Sequence, residues 1–383
     1  MKSMCGPTLD VISDLPDTVV EKILGLLPMR DAARTTVLSK KWRFNWINIP
    51  VLAFDDMSLV DPYPSFFRQL LPPDQLSVKN RLFATIYHVL LLHRGPILKF
   101  ILSICELKSC SEIDALITIL SNRGVKELTL QIWKGNPHEL PRSLISYQEL
   151  TYLNLRSCVF KWPTTVKGFP RVVCLELRDV IITVDLFETF VSSCPVLEQL
   201  TFESSTIFDF IGISAPNLKV LSLIGTIKSI CVKNAPKVEN LSIHSKASVA
   251  GVVEIGGKFD WAGLLGGLPL LKSLHTDGRY VMAILTVEAD EASFLEYCEE
   301  KIAGKFYLYL REVEMHVSGT NVELHFMKLL LAKSPGLESM VVKPNPAKVS
   351  DGGLSIVNKL LEFQRLAPRA KIIYRDPNER KAG

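Results

Sequence analysis

One pattern recurs through the middle of this 383-residue chain and limits what it can fold into: apolar-x-x-apolar-x-apolar. It occurs at Val125-Leu128-Leu130, Leu150-Leu153-Leu155, Val172-Leu175-Leu177, Leu197-Leu200-Phe202, Leu218-Leu221-Leu223 and Val238-Leu241-Ile243. Successive copies start 25, 22, 25, 21 and 20 residues apart. A pair of apolar residues two apart is a short strand with one face inward. A period of about 20–29 residues is that of leucine-rich repeats, in which each unit buries its face only against its neighbours. Weaker copies stand at Leu271-Leu274, Leu310-Val313-Met315 and Leu337-Met340-Val342, and Leu98-Ile101 is read as opening the series. Between copies, Glu112 to Leu120 and Val184 to Ser192 read as helices. The glycine-rich stretch Gly251 to Gly267 reads as a longer loop or hairpin.

A second stretch, Leu15 to Pro50, has a different character. Pro16 suits a helix start and Asp17 and Glu21 favour its positive end. At helical spacing Leu15, Val19, Val20, Ile23, Leu24, Leu26 and Leu27 cover half of the wheel, wider than the ~100° stripe that a single core needs. Pro28 stops this helix. Asp31 can cap a second that runs to about Leu38, and Ser39 a third that carries Trp42, Phe44, Trp46 and Ile47. Fewer than ~40 residues make a poor core alone, so the spare apolar arc asks for a partner or for the rest of the chain. Six Lys or Arg against three acids in this stretch suit an acidic protein partner but are too few for nucleic acid.

These residues resemble an F-box. The likeness rests on Leu15-Pro16, Ile23-Leu24, Leu27-Pro28, Val37-Leu38-Ser39 and Trp42-Arg43. The wording around Pro28 and Ser39 is similar to the plant F-box proteins that carry leucine-rich repeats and a C-terminal FBD domain. The resemblance implies that Leu15, Pro16, Ile23, Leu24, Leu27, Pro28, Val37, Ser39 and Trp42 bind a Skp-type adaptor. Through it the chain would join cullin and RING subunits, as a non-catalytic specificity subunit of an SCF-type ubiquitin ligase. From about Phe306 the chain alternates strand, helix, strand, helix, strand. The helix over Leu324 to Ala332 and the step Ser334-Pro335-x-Leu337-Glu338 resemble the FBD domain.

The expected fold is α/β: a three-helix F-box, an irregular leucine-rich-repeat solenoid and an FBD-like cap. Its segments are a flexible N-terminus over 1–14, the F-box over 15–50, a connector and helices over 51–94, the solenoid over 95–304, the FBD-like region over 305–376 and a tail over 377–383. Eight cysteines are scattered without a Cys-x-x-Cys, and no apolar signal segment leads the chain. Both point to a reducing compartment, nucleus or cytoplasm, and no apolar run is clean enough to span a bilayer.

Signatures of catalysis are missing from the sequence: no Gly-x-Ser-x-Gly, no phosphate loop, no Gly-x-Gly-x-x-Gly and no His-Glu-x-x-His. No cofactor or metal is expected, and a hydrolase site over Ser245 to Lys301 finds no supporting cluster. The outward positions of the strands are more informative. Read in register they form three columns: Glu127, Tyr152, Cys174, Gln199, Val220, Asn240; then Thr129, Asn154, Glu176, Thr201, Ser222, Ser242; then Gln131, Arg156, Arg178, Glu203, Ile224, His244. Arg156 and Arg178 could fork onto a client's acidic segment, with Glu203 and His244 beside them, or pair with Glu176 and Glu203 within the surface. A repeat scaffold that assembles proteins without ubiquitin transfer is the alternative function.

Overall fold

The computed structural model describes residues 12, 14–27, 29–38, 42–56, 75–107, 110–163, 168–246, 259–282, 307–345 and 354–375. The chain divides into two compact units, Met1–Val159 and Phe160–Gly383.

In the first unit, helix α1 spans Asp17–Leu26. Pro16 precedes it in the extended geometry that its ring favours, and Leu27, held extended at ψ 145°, ends it. Leu27 stands before a proline, which disfavours helical backbone there. A second helix, Met29–Arg34, tightens into a 3₁₀ turn over Thr35–Val37. The third element is a 3₁₀ run, Trp42–Asn48, where the sequence suggested a capped α-helix. Its expected cap, Ser39, and Pro28 lie outside the described residues. Val20, Leu24, Ala32, Trp42 and Ile49 pack into one small core, with Leu15, Trp46 and Val51 against it.

Strand β1 (Val51–Asp55) follows at once and pairs in parallel with β2 (Lys99–Leu107). Residues 51–55 are therefore the first strand of the ladder, not connector; the proline-rich remainder, 57–74, lies outside the described residues. The helix Gln75–Leu92 leads back, burying Leu82, Phe83, Ile86, Val89 and Leu90 at helical spacing. β2 pairs with β3 (Glu127–Gly135), and β3 with β5 (Tyr152–Arg156). β4 (His138–Glu139) and β6 (Cys158–Val159) form a separate parallel pair. The register corrects the opening copy by one residue. Phe100 faces Leu128, so the buried triplet is Ile97, Phe100 and Leu102, while Leu98 is exposed and Ile101 turns outward. A slip of one exchanges the two faces of a strand.

The second unit continues the motif by itself. β7 (Cys174–Arg178), β8 (Gln199–Phe208), β10 (Val220–Ile227), β12 (Asn240–His244), β13 (Ser273–Asp277), β14 (Glu312–Val317), β15 (Ser339–Pro344) and β16 (Lys371–Tyr374) lie side by side in that order, every pair parallel. β9 (Ile211–Ser214) and β11 (Ile230–Lys233) pair apart from them. The weaker copies fall into register, with Leu241, Leu274, Val313 and Met340 successive partners. Each is buried, as are the partners two residues on, and a buried Leu or Val side chain contributes about 1.5–3 kcal/mol. The helix Val184–Ser192 buries Leu186, Phe187, Phe190 and Val191. Within the glycine-rich stretch, Trp261–Gly266 is a helix, capped by Asp260, which accepts from the Gly263 N–H at 2.9 Å. A loop or hairpin thus fails there, because an Asx cap outweighs the glycines; residues 251–258 lie outside the described residues. The helices Asn321–Lys333 and Leu354–Glu362 complete the strand–helix alternation expected from the sequence.

Candidate functional site: an apolar stripe and a polar strand face

The small N-terminal core sorts the resembling residues into two sets. Leu24 and Trp42 are buried within it, and Trp42 Nε1 donates to the Ile12 carbonyl at 3.0 Å. They support the helices and cannot present side chains to a partner, which corrects the expectation for both. Leu15 is half-buried against the same core. The other side of α1 is bare: Pro16, Val19, Ile23, Leu26 and Leu27 are exposed, Leu26 to 86%. Val37 is exposed to 85%, with Leu38 beside it in sequence also open. Val19, Ile23, Leu26 and Leu27 follow helical spacing, so they form one stripe. Lys22 and Arg34 are exposed in the same helices. Arg34 meets Asp31 at 3.6 Å, an exposed pair that adds little stability. Six apolar side chains of this short module are exposed, and burying each would return up to about 1.5–3 kcal/mol.

The strand faces carry the second set. In the first unit Arg156 lays its guanidinium over the Trp133 ring, 4.4 Å from the centroid, and the indole N–H donates to Ser103 Oγ at 3.0 Å. Trp133 remains 52% exposed. It was missed in the sequence reading, though it stands two residues beyond Gln131 on the same outward face. In the second unit Arg178 reaches both Glu176 at 3.0 Å and Glu203 at 3.4 Å, so the internal pairing is realised for this arginine. The column register Arg178–Glu203–Ile224–His244 is as read from the sequence. Lys246 joins this group, at 2.9 Å from Glu203 and in contact with Asp179. Burial alone would lower the Lys246 ammonium, but the two carboxylates outweigh it and hold its pKa above the ordinary value. Lys246 too was missed; it continues the outward column two residues beyond His244. His244 itself packs edge to face on His316, centroids 5.6 Å apart, away from Arg178. Its burial keeps the imidazole pKa below the usual value, against the pull of Asp277. Among the described residues no three His, Cys, Asp or Glu side chains come together as a metal site, and no helix is long and apolar enough to cross a membrane.

Comparison with known proteins bears on both surfaces. The F-box domain family matches residues 12–50, which hold the apolar stripe. The leucine-rich repeats of the FBD-associated F-box protein At5g56370 match residues 113–256, which hold the paired columns. The F-box/FBD/LRR-repeat protein At1g13570 of Arabidopsis thaliana is 31% identical, over 96% of this chain and 99% of its own length. The putative FBD-associated F-box protein At3g50710 of the same plant is 29% identical, over 61% of this chain and 60% of its own. The F-box/LRR-repeat protein At4g14103 of that plant is 31% identical over 55% of each. With a relative matched over nearly its whole length and the two defining regions matched separately, the chain belongs to the plant F-box/FBD/LRR-repeat protein family.

Proposed function

We propose that this protein is the substrate-recognition subunit of an SCF-type cullin–RING ubiquitin ligase. The observation that carries the reading is the exposed stripe of Val19, Ile23, Leu26 and Leu27, with Val37 exposed in the same module, whose own core is already filled by Leu24 and Trp42. That stripe, together with Leu15, Pro16, Val37 and the residues Pro28 and Ser39 of the same sequence motif, takes a Skp-type adaptor, and the adaptor brings cullin and RING subunits. The parallel strands form a leucine-rich-repeat solenoid that an FBD-like region closes at its C-terminal end. A protein client docks on the outward columns, at Arg156 in the first unit or at Arg178, Glu203 and His244 in the second. Catalysis is then positional: the chain raises the effective concentration of client lysines near a ubiquitin-loaded enzyme and contributes no reacting group or cofactor. The nucleus or cytoplasm is where such a complex would work.

The test is co-purification with a Skp-type adaptor, comparing wild type with Ile23→Asp/Leu27→Asp. Both side chains are exposed, so the double variant keeps its fold by circular dichroism. Each aspartate would carry a charge into an apolar interface at a cost of several kcal/mol. Loss of a one-to-one complex with retained fold supports the reading. A wild type that never binds adaptor sinks it and leaves the repeat scaffold without ubiquitin transfer in its place.

A further inference from the structure

The N-terminal helices are joined to the first strands by more than a peptide bond. Over four residues, Ile47 to Pro50, three carbonyls are taken by one short segment that follows the helix Gln75–Leu92. The Arg94 N–H donates to Ile47 at 3.0 Å, and the Leu98 and Lys99 N–H groups donate to Pro50 at 2.8 and 3.0 Å. The third carbonyl, that of Ile49, accepts from His93 Nε2 at 2.9 Å. The side chain of Ile49 belongs to the small helical core, so the bond holds a residue that the core also holds. Between these contacts the two backbones touch: a Cβ on Gly95 would lie 2.8 Å from the Asn48 oxygen and 2.9 Å from its Cα. Strand pairing begins one residue later, at Val51 with Lys99.

His93 is the one side chain in this set, and its chemistry is constrained. A carbonyl only accepts, so Nε2 carries the proton and Nδ1 is the bare nitrogen of a neutral ring. The residue is 4% exposed, and Nδ1 is buried with no hydrogen-bond partner. A second proton would have to sit on that nitrogen; the Gly95 backbone favours it, but burial outweighs this and holds the imidazole pKa below its ordinary value. The charged group whose field reaches the ring is Arg123, in the turn before β3, and it too opposes a second positive charge; the helix end and the Ile49 segment bring only backbone.

We infer that His93 is a positioning residue: its neutral ring bolts the adaptor-facing helices to the first strands, so that the apolar stripe and the strand face of this unit turn as one body. The inference rests on the ligase reading for its use, because a client lysine can be placed only if adaptor and client surfaces hold a fixed angle. Without the bolt, the helical side keeps the Arg94–Ile47 backbone bond but loses its tie at Ile49, which widens the range of angles between helices and strands.

The experiment measures the distance distribution between labels at two exposed positions of the full-length protein, Glu21 on α1 and Lys134 on β3, by pulsed electron resonance. Two variants separate the bond from mere packing. His93→Phe fills the space without a donor; His93→Gln keeps an amide donor that does not titrate. Near pH 7.5, wild type and His93→Gln should each give one narrow distribution, and His93→Phe a second, longer population. If His93→Phe does not fold, His93→Leu, smaller and likewise without a donor, takes its place. A folded variant without the donor that keeps the single narrow distribution, or a His93→Gln that broadens as much as His93→Phe, overturns the inference. Adaptor binding near pH 7.5 is measured on the same samples and is expected to be unchanged in both variants. A chain that loses its bolt yet binds adaptor fails here only, whereas a chain that never binds adaptor fails at the ligase reading.

Discussion

Gly278 and Glu323 make a pair whose coupling can be worked out from the structure. Glu323 is fully buried, yet its carboxylate is well held: Ser318 N–H donates at 2.9 Å to one oxygen and 3.0 Å to the other, and Thr320 N–H donates at 2.8 Å. With Thr320 Oγ1 accepting from the Glu323 N–H at 3.4 Å, this is a capping box at the start of Asn321–Lys333. Gly278 opens the helix Gly278–Met282 against it. A Cβ there would overlap Glu323 Oε1 and lie 2.7 Å from Cδ. The carboxylate cannot retreat without giving up its donors. Gly278→Ala should therefore cost about 1–3 kcal/mol of overpacking and part of two charge-assisted bonds, about 1.5–3 kcal/mol each, for a total near 3–5 kcal/mol. Glu323→Ala should cost about 3 kcal/mol by exposing the same donors, but it clears the space. The double variant should then be little worse than Glu323→Ala, a coupling close to the whole Gly278→Ala cost, about 3–5 kcal/mol, against additivity. Urea unfolding of the four proteins, followed by fluorescence and far-ultraviolet dichroism, measures each step. A single Gly278→Ala cost below about 0.5 kcal/mol, or strict additivity, would refute the reasoning.

Three further outcomes follow from named contacts. Leu24→Asp, unlike Ile23→Asp/Leu27→Asp, should unfold the N-terminal helices, seen as lost helical signal without adaptor, because Leu24 lies in the small core. Tyr280→Phe should lower stability by about 1–3 kcal/mol in thermal melts, since its hydroxyl donates to the Gly225 carbonyl at 2.8 Å and accepts from the Ile227 N–H at 3.0 Å, both buried. His244 has its pKa lowered by burial, so the unfolded chain binds the proton first as pH falls. Its contribution is complete above about pH 6.5 and is lost below it. The melting temperature of wild type should accordingly drop more between pH 7 and 5 than that of His244→Gln, and equal drops would exclude a role for this ring.

Much of the strand face was legible because parallel in-register pairing turns a linear repeat into columns. Thr201, Ser222 and Ser242 are neighbours for the same reason that Leu200, Leu221 and Leu241 are. Reading failed where the periodic signal was short or doubled. β1 offers only Leu52 and Phe54 as inward residues before a proline-rich stretch, too few to mark a strand. Around the start of β2 nearly every position from Ile97 to Ile104 is apolar or small, so either face could have been the inner one, and the register read was the wrong one. For the adaptor surface, a half-wheel of apolar residues announced two faces but not which residues served which. Leu24 and Ile23 are adjacent in sequence, and only packing against Trp42 and Ile49 decides that the first is buried and the second bare.

Parallel pairing between strands adjacent in the chain also bears on synthesis. Each strand of the second unit from β7 to β8 onward finds its partner in the repeat just completed, about 20 to 40 residues back, without waiting for the C-terminus. Such local pairing lets a nascent chain condense in order as it leaves the ribosome, one strand at a time. The same arrangement makes premature termination hazardous. A chain stopped after β10 or β13 ends on a strand whose outer N–H and C=O groups await the next repeat, an open template for aggregation that the full-length chain fills with its own continuation.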